Sequence, residues 1–314
     1  MKTYLDCIPC FLRQALDSAR AIGADATVQE QVVREILLAT AKMDLRQSPP
    51  LMGQRIHRLI RELTGNADPY LHLKQRFNDM ALRLFSTCRD WVQRSDDPLQ
   101  TALRLSIAGN VIDLGVKSGL EDGEIHQAIF HAISDPLEGD FTRFSRAVQA
   151  ADDILYLADN AGEIVFDRLL IEQIGPHKVT LVVKGGPIIN DATRADAEAA
   201  GLTDLVEVID NGSDAPGTVL EDCSGEFRNR FEAATLVIAK GQANYETLSD
   251  QKRDIFFALK VKCPVIARDV DCTLGHMVLR RSAPSKAERA RRNKEASPEK
   301  AAIKLRPAPM RKAL

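Results

Sequence analysis

The spacing of apolar residues changes period near the middle of the chain. Up to about residue 148 it is helical, as in 28–41 (Val32, Val33, Ile36, Leu37), 71–92, 101–114, 125–133 and 141–150, with no convincing strand. Beyond that point, short apolar runs alternate with polar turns. Ile154–Ala158 stops at Asp159-Asn160-Ala161-Gly162-Glu163, after which Ile164, Phe166, Leu169, Leu170 and Ile174 return at helical spacing, one strand-turn-helix unit. Val179–Val183 leads into Lys184-Gly185-Gly186-Pro187 and on to Asn190-Asp191-Ala192-Thr193, at the head of another helical stretch. Three further runs read as strands: Val206–Ile209 ending in Asp210-Asn211-Gly212, Ala234–Ala239 ending in Lys240-Gly241-Gln242, and Pro264–Ala267 ending in Arg268-Asp269. The pattern predicts an α/β fold, a Rossmann-like, mostly parallel sheet flanked by helices and preceded by an all-helical N-terminal domain. The expected divisions are a helical domain over 1–150, an α/β domain over 151–280 and a tail over 281–314.

The polar endings carry the functional signal. In an open parallel sheet, ligands bind outside the carboxyl ends of the strands, where helices begin and aim free N–H groups at anything anionic. Any strand must stop in something polar. Five endings that mix acids, carboxamides and cations suggest one shared site, suited to a hard cation and a phosphate.

Composition narrows the class. A chain of 314 residues that is 45% hydrophobic can bury a full core. No apolar run is long enough to cross a bilayer, and Met1-Lys2-Thr3-Tyr4-Leu5-Asp6 lacks the form of a secretory signal, so a cytoplasmic protein without a membrane partner is expected. Six scattered cysteines fit a reducing compartment better than a disulfide framework. From Arg280 onward there are twelve Lys or Arg against three Glu, a net of +9, which leaves −11 for the preceding residues of a chain whose total is −2. With prolines at 284, 298, 307 and 309, this tail is expected to lack a stable fold. It reads as a solubilising extension, or as an arm for nucleic acid or an acidic partner; the lack of interleaved aromatics favours the first.

Two features of the helical region carry possible chemistry. Cys7-Ile8-Pro9-Cys10 has the spacing of a metal-ligand or redox pair, but no second Cys pair or His-rich stretch accompanies it; buried structural thiols, a metal-linked role and redox exchange all remain open. Ala108-Gly109-Asn110-Val111-Ile112-Asp113 places a glycine, an amide and an acid on neighbouring helical turns, where the glycine costs about 1 kcal/mol of helix stability. The six histidines are dispersed and read as surface or packing residues.

Taken together, six ordered blocks resemble one family. They are Cys7-Ile-Pro-Cys10, Asp68-Pro69-Tyr70 followed by Lys74 and Asn78, Gly109-Asn110-Val-Ile-Asp113, Asp159-Asn160-Ala-Gly-Glu163 with Asp167, Gly186-Pro187-Ile-Ile-Asn190-Asp191-Ala-Thr193, and Lys240-Gly-Gln-Ala-Asn244-Tyr245-Glu246. They look like the damage-control phosphatases, also called DUF89, whose core is described as an acidic-residue-methyltransferase-like metal-binding domain. The likeness runs from about residue 1 to about residue 280, and the CxxC resembles the stand-alone microbial members. Ala243 stands where relatives often have Gly, and the basic tail lies outside the family pattern.

The resemblance implies a phosphatase that depends on one divalent ion (manganese, nickel, cobalt or magnesium) and acts on small phosphorylated metabolites. Its metal ligands match Asp159, Asn160 and Asp191, its phosphate-contacting lysine matches Lys240, and Asn110 and Asp113 match a pocket-forming block. On this reading Asp159, Asp191, Lys240, Glu163 and Asp113 are catalytic, and Asn110, Gly162, Lys240, Gly241 and Asn244 bind substrate. The chemistry agrees, because two carboxylates and a carboxamide make an all-oxygen shell for a hard or borderline ion that can polarise a phosphoryl group. Lys240 with the amides of Gly162 and Gly241 would balance charge on the phosphoryl oxygens, and Glu163 or Asp113 would orient water or protonate the leaving oxygen. Asp159 and Asp191 have a plainer use as helix caps. A phosphometabolite sensor without turnover is the main alternative. Carboxyl methyl transfer, attached to a eukaryotic branch of the family, is a lesser one, since no glycine-rich loop supports S-adenosylmethionine. A dinucleotide site is disfavoured by the lack of GxGxxG after the first strand.

Overall fold

The structure, a computed structural model, describes residues 1–110, 127, 129–131 and 133–282. Five helices open the chain: α1 (Cys7–Ala21), α2 (Ala26–Lys42), α3 (Pro49–Thr64), α4 (Leu71–Gln93) and α5 (Pro98–Ala108). A seven-stranded sheet follows, built from β1 (Leu137–Gly139), β2 (Ile154–Leu157), β3 (Val179–Val183), β4 (Glu207–Asp210), β5 (Leu236–Lys240), β6 (Ile255–Lys260) and β7 (Met277–Arg281). Its order is β1-β7-β6-β5-β2-β3-β4, parallel from β6 through β4, with β7 antiparallel to β6. The three-residue β1 pairs with β7 in the stretch expected to be all helical. Six further α-helices are formed among the described residues: α6 (Phe141–Ala150), α7 (Glu163–Ile174), α8 (Arg194–Ala199), α9 (Gly225–Ala233), α10 (Gly241–Leu248) and α11 (Pro264–Val270).

The central strands are buried on both faces, as expected of parallel strands covered by helices, and their side chains alternate between two cores. Ile154 and Tyr156 of β2 pack with Phe77, Leu105, Ile164 and Phe166 of α4, α5 and α7. Leu155 and Leu157 pack on the other face with Phe227, Leu248 and Ile266 of α9, α10 and α11. Helices α1, α2 and α3 bury Phe11, Val32, Ile36 and Ile56 in a core of their own, whereas α4 and α5 belong to the core of the sheet.

One expected strand is a helix. Pro264–Ala267 opens α11, with Pro264 in the first turn and Cys263 as its cap. Val265 and Ile266 suit a strand, but a proline early in a helix gives up no needed N–H, and that position decides the element. The strand is instead Ile255–Lys260, an apolar run ending in Lys-Val-Lys.

Polar contacts seat α1–α3 over the carboxyl edge of the sheet. Asp214 accepts from Arg58, Gln54 and Arg61, and these donors, working against burial, hold its carboxyl down to about 2. On the other side Arg268 meets Asp6 at 2.6 Å, and the amino group of Met1 donates to the Glu246 carbonyl at 2.7 Å.

Inside this cap His57 is buried between Gln14 and Tyr70. Burial, reinforced by Arg61, pushes its imidazole down to about 3. The unfolded chain takes up that proton near pH 6.5, so the stabilisation from a neutral His57 is complete above that value and drains away as pH falls towards 3. From pH 6.5 to about 5, wild type should lose about 2 kcal/mol more than a His57→Gln variant, read by urea unfolding at each pH. Equal losses would contradict the assignment.

Candidate metal and phosphate site

The strand order reverses between β2 and β5: β3 and β4 lie to one side of β2, while β6 lies beyond β5. Such a switch point leaves a crevice at the carboxyl ends of the two strands. Asp159 and Asn160 follow β2, and Gly241 follows β5.

The turn after β2 is tied to the segment after β3 by backbone hydrogen bonds. Ala161 donates to the Asn190 carbonyl and Ala192 to that of Asp159, both at 2.8 Å, and Asn160 bridges Asp191 in antiparallel pairing. Two polar turns, with Asp159 and Asp191 32 residues apart in sequence, thus lie side by side and bring Asp159, Asn160 and Asp191 to the floor of one cleft. Gly162 (φ 76°) makes the sharp exit into α7, its N–H held by Asn78 Oδ1 at 2.7 Å. Gly241 (φ 80°) lies so close to the Asp159 carboxylate that a Cβ there would sit 2.0 Å from Oδ2, so any side chain would evict the carboxylate.

The electrostatics of this floor suit a cation. Burial, then the neighbouring Glu163 and Asp191, raise the Asp159 carboxyl well above the usual range, with Lys262 and Lys184 opposing. Burial pushes Asp191 up to about 6, countered chiefly by Lys184. Lys184 Nζ stands 3.5 Å from Asp191 Oδ2, and that buried oxygen has no hydrogen-bond partner. A buried carboxylate oxygen that accepts no hydrogen bond and lies beside a second acid has room for a further positive partner besides Lys184. Asn160 completes the set: its Nδ2 donates to Asp159 (2.7 Å) and Glu163 (3.2 Å), which leaves its carbonyl oxygen as the ligating atom. Two carboxylates and a carboxamide oxygen fit a hard or borderline divalent ion.

The remaining predicted residues fall into a layer behind the floor. Lys240 is wholly buried and directs its three N–H groups at Glu163 Oε1 (2.7 Å), Asp167 Oδ1 (2.7 Å) and the Ser106 carbonyl (2.9 Å). Tyr156 donates to the same Asp167 oxygen, and Asn110 donates to Glu163 Oε2 at 2.9 Å. Burial raises Asp167 to about 6 against the pull of Lys240; burial opposes the charge on Lys240, but Asp167 and Glu163 prevail and raise its pKa. Asn244 ties the ends of β2 and β5 together by donating to the carbonyls of Ala158 and Lys240. None of Lys240, Glu163, Asn110, Gly162 and Asn244 lines the cleft; Lys240 and Glu163 set the position of Asn160 from behind. Asn78 and Lys74 likewise brace Asp196, which caps α8. Asp113 lies outside the described residues.

The cleft measures about 650 Å³, a volume suited to a small metabolite. Cys7 and Cys10 line its mouth with Cys263; Cys10 is exposed and Cys7 half-buried, so the pair is not a buried structural one. Lys262, Glu246 and Arg268 complete the wall. Lys262 is exposed, and its side chain makes no ion pair among those described, although its charge bears on Asp159. Burial pushes the Glu246 carboxyl up to about 7. Lys262 follows β6 much as Lys240 ends β5, a signal hidden in the sequence because its pattern puts that strand at Pro264–Ala267.

The fold is thus a doubly wound α/β sheet with an acidic cleft at its switch point. Residues 3–278 match the damage-control phosphatase ARMT1-like domain. A damage-control phosphatase of Archaeoglobus fulgidus is 36% identical over 278 residues, 87% of this chain and 96% of the relative, and one of Pyrococcus horikoshii is 33% identical over 292 residues, 90% and 99%. The crystal structure of a DUF89 family protein from Pyrococcus horikoshii superposes with a TM-score of 0.82 at 32% identity, covering 90% of this chain and all of that one. The chain belongs to the damage-control phosphatase ARMT1-like family. No helix among the described residues is long and apolar enough to cross a membrane.

Proposed function

We propose that the protein is a divalent-metal-dependent phosphatase of small phosphorylated metabolites, with Asp159, Asn160 and Asp191 holding the ion. The observation that carries this reading is the pair of buried carboxylates, Asp159 and Asp191, side by side on the cleft floor, where Asp191 Oδ2 accepts no hydrogen bond and has Lys184 at 3.5 Å. An ion held there supplies Lewis acidity towards a phosphoryl oxygen. The chain's own residues supply the rest. Lys262, whose ammonium has no ion pair among the described residues, binds the phosphate and draws it towards the floor. Glu246, half protonated near neutral pH, is placed to give a proton to the leaving oxygen. Lys240 and Glu163 act as positioning residues, holding Asn160 from the second layer. The walls provided by α1 and α3 shield the site from water and select the substrate.

The direct test is phosphate release from p-nitrophenyl phosphate and a panel of sugar phosphates by metal-stripped protein, with manganese, nickel, cobalt or magnesium added back. Turnover that requires metal supports the reading; tight phosphoester binding with no turnover under any metal would make the protein a sensor. In the same assay Lys262→Ala should raise KM about tenfold or more, the loss of one charge-assisted contact, with little change in kcat. Glu246→Gln should lower kcat about a hundredfold and leave KM alone. The opposite division between KM and kcat would exchange these roles.

A further inference from the structure

Away from the cleft, at the outer edge of the sheet, three side chains of different chemistry meet. Glu138 comes from the middle of β1, and Cys272 and His276 from the turn between α11 and β7. Their ligand atoms all lie within 4.8 Å of one another, and all three residues are half-buried. His276 Nδ1 is 2.7 Å from Glu138 Oε1, and the Cys272 thiol donates to the Thr273 carbonyl at 3.5 Å. Burial first, then Glu138, pushes that thiol up to about 11.

The backbone around this trio is fixed independently. Gly275 donates to the Val261 carbonyl (2.8 Å), Val261 to that of His276 (3.0 Å), and Cys272 to that of Ala267 (2.9 Å). Met277 donates to the Pro136 carbonyl (3.0 Å), and Glu138 stands in register with Val278. The ligand-bearing segments are therefore held in place before any ion arrives. Tetrahedral coordination at about 2.0 to 2.3 Å sets ligand atoms roughly 3.3 to 3.8 Å apart, so side-chain rotation alone can close the site.

We propose that Glu138, Cys272 and His276 form a second metal site, distinct from the cleft, that takes a zinc-class ion. One thiolate, one imidazole and one carboxylate favour zinc or cobalt over magnesium or manganese, the reverse of the all-oxygen cleft. Binding replaces the thiol proton with the ion, so one S–H bond gives way to a sulfur–metal bond and one proton goes to solvent. The ion clamps the short edge strand β1 onto the α11–β7 turn and leaves a fourth position for water. The sequence did not suggest this site, because Glu138 and His276 are 138 residues apart and the histidines follow no ligand spacing.

The test is a cobalt titration of the full chain carrying Asp191→Ala, which disables the cleft and makes the result independent of the phosphatase reading. The expected result is a thiolate-to-cobalt charge-transfer band in the near ultraviolet that zinc bleaches. It should vanish in Cys272→Ser, weaken at least tenfold in apparent affinity in His276→Ala, and survive Cys7→Ser with Cys10→Ser. Circular dichroism confirms that each variant is folded, and zinc bleaching in the parent keeps the test valid if Cys272→Ser fails to fold. A missing band at saturating cobalt, or one that follows Cys7 and Cys10 instead, would overturn the proposal.

Discussion

Replacing Asp191 with Ala or Asn is expected to lower metal-dependent kcat/KM by at least about a thousandfold, because a ligand that fixes the ion underwrites several kcal/mol of charge stabilisation and each 1.4 kcal/mol is a factor of ten. The same change should leave the metal-stripped fold intact. It has two opposed effects: it relieves the crowding of Asp159 by Asp191, and it takes from buried Lys184 the carboxylate 3.5 Å away, leaving that ammonium the Gly217 carbonyl. The metal-stripped Asp191→Asn variant should therefore melt within a few degrees of metal-stripped wild type. Activity would then collapse with little change in thermal stability, as expected where a site is built for a ligand rather than for the fold. A variant that lost both would mark Asp191 as structural, although Thr193 and Asp196, not Asp191, cap α8, and Gly162, not Asp159, stands at the cap of α7.

The largest effect on stability is expected at Lys240. Its ammonium is wholly buried and answers two buried carboxylates at 2.7 Å. Lys240→Met leaves Glu163 and Asp167 without their cation, and should cost about 3 to 5 kcal/mol, read as a lowered urea midpoint. Adding Glu163→Gln and Asp167→Asn should restore most of that loss, since a neutral, hydrogen-bonded cluster escapes the cost of uncompensated charge. Activity should stay low in the rescued variant, because Asn160 loses the carboxylate that orients it. If Lys240→Met unfolded no more readily than wild type while phosphate affinity fell tenfold, the lysine would be a substrate contact after all.

How far the sequence reveals this protein depends on how local each signal is. The unit from Ile154 to Ile174 was legible because a buried strand, a glycine turn and a helical repeat lie together in one short stretch. Asp159, Asn160 and Asp191 could be placed on one edge because both turns follow parallel strands. Their pairing depends on backbone bonds between the turns, which no residue spacing encodes. Lys240 shows the opposite limit. A lysine at a strand end has the same sequence appearance whether its side chain enters the cleft or turns back into the core, and its direction is set by Glu163 and Asp167 on α7. Pro264–Ala267 misled because β-branched residues outweighed a proline whose meaning depends on its position in the turn. Cys7 and Cys10 face the cleft only because α1 folds back over the sheet, a long-range arrangement outside the reach of a local pattern.

The most direct measurement is manganese binding by electron paramagnetic resonance, with and without inorganic phosphate, in metal-stripped wild type and Asp191→Ala. Wild type should quench the free manganese signal, phosphate should tighten this binding, and Asp191→Ala should abolish both effects. Equal manganese binding by the variant, or binding indifferent to phosphate, would contradict a metal-centred phosphoryl site at Asp159, Asn160 and Asp191.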